Sequence, residues 1–116
     1  MPQSRQLAAI MFTDIVGYTA LMGNDEKKAF ELLSLNRAIQ KPIIEKNNGR
    51  WIKEMGDGAM ASFNTASDAV NAAMQIQKAP TNNFKLKIGI HLGEVVFEND
   101  DVYGDGVNIA SRIETL

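Results

Sequence analysis

Two aspartates stand where a carboxylate could do chemistry. Asp14 is separated by Thr13 from the short apolar run of residues 7–12, and Asp57 lies between two glycines at the tip of a predicted hairpin. Neither has a histidine or cysteine near it in the sequence, and hard carboxylate oxygens suit Mg²⁺ or Mn²⁺ bound to the phosphates of a substrate. The alternative for each residue is structural, because aspartate is also favoured at helix caps and in turns.

Four further polar residues belong to short motifs. Lys53 precedes the Asp57 hairpin tip, and Asp101 opens the stretch Asp-Val-Tyr-Gly-Asp-Gly-Val-Asn-Ile-Ala-Ser-Arg. Asn108 and Arg112 lie one helical turn apart in that stretch, so they share one face of a predicted helix. A guanidinium stays charged and offers a planar fork of donors that suits a phosphate. Taken singly, a strand lysine, a loop acid and a helical arginine are all ordinary.

The apolar pattern predicts the elements that would position these groups. Residues 7–12 are typical of a buried strand. A turn of helix after Gly17 and then a long helix capped by Asn24 or Asp25 follow. Pro42 predicts a kink or break in that helix. The inward stripe is predicted to comprise Ala29, Leu32, Leu35, Ile39 and Ile43, widened by Leu33.

The second half predicts four more strands and two helices. Residues 51–55 and 59–63 form a predicted hairpin, and a capping box from Thr65 to Asp68 opens the next helix. Residues 84–91 alternate like a half-buried strand with Lys85 and Lys87 on its solvated face, and the chain is then predicted to turn at Leu92-Gly93. A strand at 94–97 and a helix at 106–116 complete the chain. The inward residues of the capped helix are predicted to be Ala69, Val70, Ala73, Met74 and Ile76.

This order, β-α-β-β-α-β followed by β-α, predicts an α+β fold with a ferredoxin-like βαββαβ core. A chain of 116 residues that is 45% hydrophobic and 22% charged suits one domain. A net charge of −2 excludes a broad basic field for nucleic acid, and the absence of cysteine excludes disulfides. No apolar run is long enough to cross a bilayer, and residues 1–6 read as a polar arm rather than a signal peptide. The expectation is a cytoplasmic domain without membrane contact.

Three sequence blocks together resemble the nucleotide cyclase homology domain of class III adenylate and guanylate cyclases. They are Phe-Thr-Asp-Ile at 12–15, Lys-Glu-Met-Gly-Asp at 53–57 and the stretch at 101–112, in the family's order and at roughly its spacing. The resemblance covers about Leu7 to Glu114. It implies the same core, of the cyclase and polymerase palm type, and a phosphorus–oxygen lyase of signal transduction that converts ATP to 3′,5′-cyclic AMP and pyrophosphate.

The resemblance also implies a role for each motif residue. Two divalent cations, Mg²⁺ or Mn²⁺, would be held by Asp14, Asp57 and the backbone carbonyl of Ile15. Backbone N–H groups around Gly17, Tyr18 and Thr19 would cradle the triphosphate, because helix N-termini attract anions. Asn108 would orient the ribose, and Arg112 would stabilise the charge that develops on the α-phosphate.

Base recognition follows from the same resemblance. Lys53 would donate to the adenine ring, and Asp101 would accept a hydrogen bond from its exocyclic amino group. Guanine presents the opposite pattern on that edge, and guanylate cyclases typically carry glutamate and cysteine at these positions. The sequence therefore resembles an ATP-specific member.

The family's architecture implies a homodimer through the surface of residues 51–63, with two equivalent sites that each combine residues of both protomers. Cyclase domains continue through further strands after the arginine motif, so residues 1–116 are expected to be a domain incomplete at its C-terminal end, with regulatory domains attached in the full protein. One alternative is a non-catalytic, nucleotide-binding or regulatory homology domain, or an inactive fragment. Another is a diguanylate cyclase, although Met-Gly-Asp-Gly replaces that family's Gly-Gly-Asp/Glu-Glu-Phe hairpin.

Overall fold

The elements follow the predicted order up to the strand after the second long helix, but the strands predicted at 84–91 and 94–97 are one, and a strand at 101–103 was not predicted. The computed structural model describes residues 4–55, 58–79, 85–98 and 101–103. In order, the elements are β1 (Ser4–Ile15), α1 (Tyr18–Asn24), α2 (Glu26–Lys46), β2 (Arg50–Met55), β3 (Gly58–Phe63), α3 (Ala66–Lys78), β4 (Leu86–Glu98) and β5 (Asp101–Tyr103). The strands form one antiparallel sheet in the order β2-β3-β1-β4-β5. The first four strands make the predicted ferredoxin-like core, and the predicted helix at 106–116 lies outside the described residues.

Both faces of the central strand β1 are buried, as its continuous apolar run predicts. One face packs against α2 and α3. The cluster on that face is formed by Ala9, Met11, Ile44, Ala61, Phe63, Ala69, Ala72 and Ile76. The opposite face carries a second cluster, formed by Ala8, Ile10, Phe12, Met60 and Val95. Because side chains alternate along a strand, Asp14 belongs to this second face.

The sheet is longer than the sequence pattern indicates. β1 begins at Ser4 and pairs with β4 along its whole length, so residues 4–6 are strand rather than part of a polar arm. The predicted turn at Leu92-Gly93 is wrong, because β4 runs through it as one strand of 13 residues. The register with β1 continues unbroken there, with Ala8 opposite Gly93, so the long central strand keeps this glycine extended.

Helix α2 is a single helix of 21 residues that continues through Pro42, so the predicted break is wrong. Its N-cap is Asp25, as predicted, and the Asp25 side chain accepts a hydrogen bond from the Lys28 N–H at 3.1 Å. Residues buried on either side of the proline, Gln40 and Ile44, anchor both halves of the helix to the sheet. In the described ranges, no helix combines the length and apolar character needed to span a bilayer.

The inward stripes of both long helices differ from the predictions. The buried positions of α2 are Ala29, Leu32, Asn36, Gln40 and Ile44. Leu35 was predicted inward but is 39% exposed. In α3 the buried residues are Ala69, Ala72 and Ile76, whereas Val70 and Met74 are exposed. The predictions followed hydrophobicity, but packing selected small residues for α3 and two amides for α2.

Candidate active site

Asp14 is half-buried near the end of β1, between two paired strands. It does not cap a helix, because α1 begins after Gly17 and no side chain makes a capping hydrogen bond there. Its Oδ1 atom is buried, and the residue makes interactions of its own. A carboxylate held near the end of a paired strand offers hard oxygen atoms, which suit a cation such as Mg²⁺.

The register of the sheet brings the second aspartate's segment to the same place. Asp14 lies opposite Gly58 on β3, and Gly58 lies opposite Met55 on β2. Asp57 itself lies outside the described residues, but it is bonded to Gly58. The strand pairing therefore brings the adjoining ends of β2 and β3 to the end of β1.

The junction after β1 offers backbone groups rather than side chains. Ile15 is 2% exposed and Tyr18 is 8% exposed, and both pack in a cluster with α2. Gly17 has a left-handed φ of 80°, which glycine adopts without steric cost. The first hydrogen bond of α1 runs from the Leu21 N–H to the Gly17 carbonyl at 3.1 Å, so the N–H groups of residues 18–20 have no acceptor within the helix. The exposed Thr19 and its neighbours could therefore face an anion through their backbone.

Lys53 lies on the same face of the sheet as Asp14, but two strands away. It is half-buried on β2 opposite Met60, which in turn lies opposite Phe12 on β1. Lys53 and Asp14 are two strands apart and are offset by two residues along the strand. Their Cα atoms are therefore about 12 Å apart. The two residues are therefore not direct neighbours in the sheet of one chain.

The strand that carries Asp101 comes close to the strand that carries Lys53. β5 and β2 form opposite edges of the sheet, yet Cα atoms of the two strands approach within 8 Å of each other. The sheet must therefore curl to bring its edges together. Asp101 begins β5 opposite Glu98 on β4. This approach places the two predicted base-reading positions on neighbouring segments.

A cation that the sequence reading assigned to solvent lies beside the carboxylate. Lys87 on β4 is directly opposite Asp14 in the register with β1, and by strand alternation it shares the same face. Lys87 is exposed, as predicted, but its position next to Asp14 was missed. Pairing the two strands antiparallel with Ile15 opposite Leu86 would have revealed it.

The remaining predicted residues have no described side chains near the site. Asn108 and Arg112, like Asp57, lie outside the described residues. Within the described ranges no three histidine, cysteine, aspartate or glutamate side chains cluster as a metal site. The described part of the site thus comprises Asp14, the backbone of residues 15–19, Lys53 and Lys87.

Comparison with known proteins identifies the fold and the family. The sequence profile described as the adenylate and guanylate cyclase catalytic domain matches residues 1–116. The chain belongs to this family. The crystal structure of an adenylate/guanylate cyclase/hydrolase from Silicibacter pomeroyi is 33% identical, with a TM-score of 0.87 over 98% of this chain and 72% of that one. The ferredoxin-like core is therefore that of a cyclase catalytic domain.

Two curated relatives are named as adenylate cyclases. Putative adenylate cyclase 3 of Rhizobium meliloti is 38% identical over 122 residues, which cover 97% of this chain and 21% of the relative. Adenylate cyclase of Streptomyces coelicolor is 28% identical over 112 residues, which cover 93% of this chain and 29% of the relative. The chain therefore spans less than a third of the length of each of these relatives.

Proposed function

We propose that this cyclase domain converts ATP to 3′,5′-cyclic AMP and pyrophosphate at a site shared by two copies of the chain. The observation that carries the proposal is the position of Asp14 opposite Gly58, the residue bonded to Asp57. Nothing in a ferredoxin-like core requires a carboxylate at either point, and together they would provide hard oxygen ligands at one end of the sheet. The names of the two curated relatives support adenine as the base.

Asp14, Asp57 and the carbonyl of Ile15 would hold two Mg²⁺ or Mn²⁺ ions. When bound, such cations neutralise the triphosphate and favour ionisation of the ribose 3′-hydroxyl. Asp14 is suited to this role because β1 is hydrogen-bonded on both edges, to β3 and to β4, which fixes its backbone. Such support gives a ligand the precise position that catalysis needs.

The remaining groups would orient ATP and stabilise charge. Backbone N–H groups of residues 17–19 and the ammonium of Lys87 would face the triphosphate, Asn108 the ribose and Arg112 the α-phosphate. In the reaction the ribose 3′-oxygen forms a bond to the α-phosphorus while the bond to the oxygen that bridges to the β-phosphate breaks. Pyrophosphate leaves with that oxygen, and the proton of the 3′-hydroxyl passes to solvent. A nearby guanidinium suits the charge that develops.

Lys53 and Asp101 would read the adenine. The close approach of β2 and β5 supports a shared pocket for these two residues. Because Asp14 lies about 12 Å from Lys53 in the same chain, we propose that each site combines the metal-binding residues of one protomer with the base-binding residues of its partner. The dimer would form through the surface of residues 51–63, which includes β2 and β3.

The test is cyclic nucleotide formation from ATP with Mn²⁺ by the unsubstituted chain and by Asp57→Ala, at several protein concentrations. We expect cyclic AMP from the unsubstituted chain alone, with a specific activity that rises as dimers form in light scattering. Equal product from both proteins would remove the metal site, and cyclic GMP as the main product from mixed ATP and GTP would overturn the roles of Lys53 and Asp101. ATP binding without any product would favour a non-catalytic domain. The greater length of the relatives supports attached regulatory domains in the full protein.

A further inference from the structure

Two amide side chains lie in the buried stripe of α2, where apolar residues would be expected. Gln40 is 0% exposed and Asn36 is 3% exposed. The Gln40 Nε2 atom donates to Asn36 Oδ1 at 2.6 Å, and the Thr13 hydroxyl donates to Gln40 Oε1 at 3.1 Å. A hydrogen-bond chain therefore runs from α2 into β1 and ends at the residue just before Asp14.

The contribution of these hydrogen bonds to the stability of the fold does not explain them well. A buried amide is costly unless it is hydrogen-bonded, and replacing a whole buried polar set by apolar groups of similar shape can be nearly neutral. What an amide chain adds is direction, because hydrogen bonds fix one relative position of helix and strand where apolar contacts tolerate several. Here the position fixed is that of Thr13, and hence of the strand end that carries Asp14.

A second side-chain contact from α2 reaches β2, at a residue that is level with Thr13 in the sheet. Arg37 on α2 donates from Nε to Glu54 Oε2 at 2.8 Å, and its Nη2 lies 2.6 Å from the same oxygen. Glu54 lies opposite Ala59 on β3, and Ala59 lies opposite Thr13 on β1. Glu54, Ala59 and Thr13 are thus level with one another across β2, β3 and β1. Helix α2 is hydrogen-bonded to the first and last of these residues.

These three paired residues lie one position along the strands from the proposed cation site. The next register position along the sheet places Asp14 opposite Gly58. The Arg37–Glu54 pair is partly exposed, with side-chain exposures of 52% and 27%, so its contribution to stability is small. Two contacts from α2 reach residues that are level with each other in the sheet. They are therefore better explained by the position they impose on the adjacent pair, Asp14 and Gly58, than by the stability they add.

We propose that Gln40, held in place by Asn36, is a positioning residue that fixes Asp14 and the Ile15 carbonyl for cation binding through the hydroxyl of Thr13. This inference rests on the proposed cation site. The Thr13 hydroxyl touches neither substrate nor cation in this scheme. Its removal should therefore weaken cation binding and the catalytic rate while it leaves base recognition intact.

The test compares Thr13→Val, which keeps the shape but loses the hydroxyl, with Thr13→Ser, which keeps the hydroxyl. Mn²⁺ binding is measured by calorimetric titration of the full chain in the presence of α,β-methylene ATP, which cannot be cyclised. We expect Thr13→Val to weaken Mn²⁺ affinity about tenfold or more, the size typical of losing a group that supports a metal ligand. Thr13→Ser should stay within about twofold. In cyclic AMP assays Thr13→Val should lower kcat, with a smaller effect on KM for ATP.

A second variant guards against a simple folding defect. Thr13→Val leaves Gln40 Oε1 buried without that donor, so the triple variant Thr13→Val, Asn36→Leu, Gln40→Met removes the whole chain of amides instead. Circular dichroism should show that it folds, and its Mn²⁺ affinity should fall as in Thr13→Val.

The matched control is Gln75→Met. It removes another hydrogen bond between elements, from Asn47 Nδ2 to Gln75 Oε1 at 3.2 Å, which joins α2 to α3 away from the site. Its Mn²⁺ affinity should be unchanged. Unaltered affinity in Thr13→Val, or an equal loss in Gln75→Met, would overturn this inference and leave the proposed function standing. If the unsubstituted chain does not bind Mn²⁺ with the nucleotide, the proposed function fails and this inference fails with it.

Discussion

Asp14 on β1 and Gly58 on β3 lie directly opposite each other in the antiparallel register. Opposed Cα atoms in such pairs are about 4.5–5.5 Å apart, so the hairpin that carries Asp57 is attached to the sheet beside the first carboxylate. The site is thus assembled by strand pairing rather than by long flexible loops. A register shift of one residue would turn Asp14 to the helix-covered face.

Because the two aspartates would bind the same cations, their substitutions should not be additive. Asp14→Asn and Asp57→Asn should each lower cyclic AMP formation at least about 100-fold, since cation stabilisation of charge is worth several kcal/mol. The double variant should be little worse than either single one. Initial rates with Mn²⁺ measure this, with the exposed Glu31→Gln on α2 as the control. Independent, multiplying losses would argue against a shared site.

Lys53 should decide which base is accepted. Lys53→Glu replaces a donor with an acceptor, so kcat/KM for ATP should fall about tenfold or more while the ratio of GTP to ATP use rises. Competition assays with both nucleotides measure the ratio. The control is Lys78→Glu, the same charge change at the exposed end of α3, which should leave the ratio unchanged. An unaltered ratio in Lys53→Glu would place the base elsewhere.

Lys87 should contribute to nucleotide affinity because it lies opposite Asp14 on the shared face. Lys87→Ala should raise KM for ATP about threefold to tenfold, the range of one partly exposed charge contact, with little change in kcat. The effect should diminish at high ionic strength, since exposed charges are screened. Lys41→Ala, an exposed lysine on α2, should have no such effect. A KM equal to that of the unsubstituted protein would mean that Lys87 is only a solvated strand residue and does not contact the nucleotide.

The sequence predicted the parts of the structure that depend on local chemistry. Asp25 and Thr65 cap their helices as expected, and the side chain of Thr65 accepts a hydrogen bond from the Asp68 N–H at 3.1 Å. The strand order follows from the alternation of elements and the rules of the ferredoxin-like core. That topology places the end of β1, which carries Asp14, beside β3 at Gly58.

What the sequence did not predict depends on pairing between distant segments. Asn36 and Gln40 were overlooked as inward residues because they are polar, and only the partner Thr13 explains their burial. The position of Lys87 opposite Asp14 depends on the register between β1 and β4, which no local sequence pattern specifies. Leu35 was predicted inward on hydrophobicity, but the buried stripe of α2 includes Asn36 and Gln40 and leaves Leu35 39% exposed.

Gly49 should be the glycine least tolerant of a side chain. Helix α2 is followed by Asn47-Asn48-Gly49, where Asn48 adopts a left-handed φ of 63°. A Cβ atom on Gly49 would collide with the Phe63 ring and would lie 2.8 Å from both the Cγ2 and the carbonyl oxygen of Ile44. Phe63 and Ile44 are fully buried, so neither can move aside easily. Gly49→Ala should therefore destabilise the fold by about 1–3 kcal/mol, the usual cost of overpacking.

Urea unfolding measures the Gly49 effect, with Gly23→Ala as the matched control. A Cβ on Gly23 meets nothing within 4 Å, and Gly23 is part of α1, so alanine there should be neutral or stabilising by up to about 1 kcal/mol. The midpoint should fall for Gly49→Ala while the slope of the transition stays constant, because the surface exposed on unfolding is unchanged. Equal midpoints for the two variants would mean that the end of α2 lies farther from β3 than described. Such a shift would also alter the path of β2, and with it the position of Lys53 relative to Asp14.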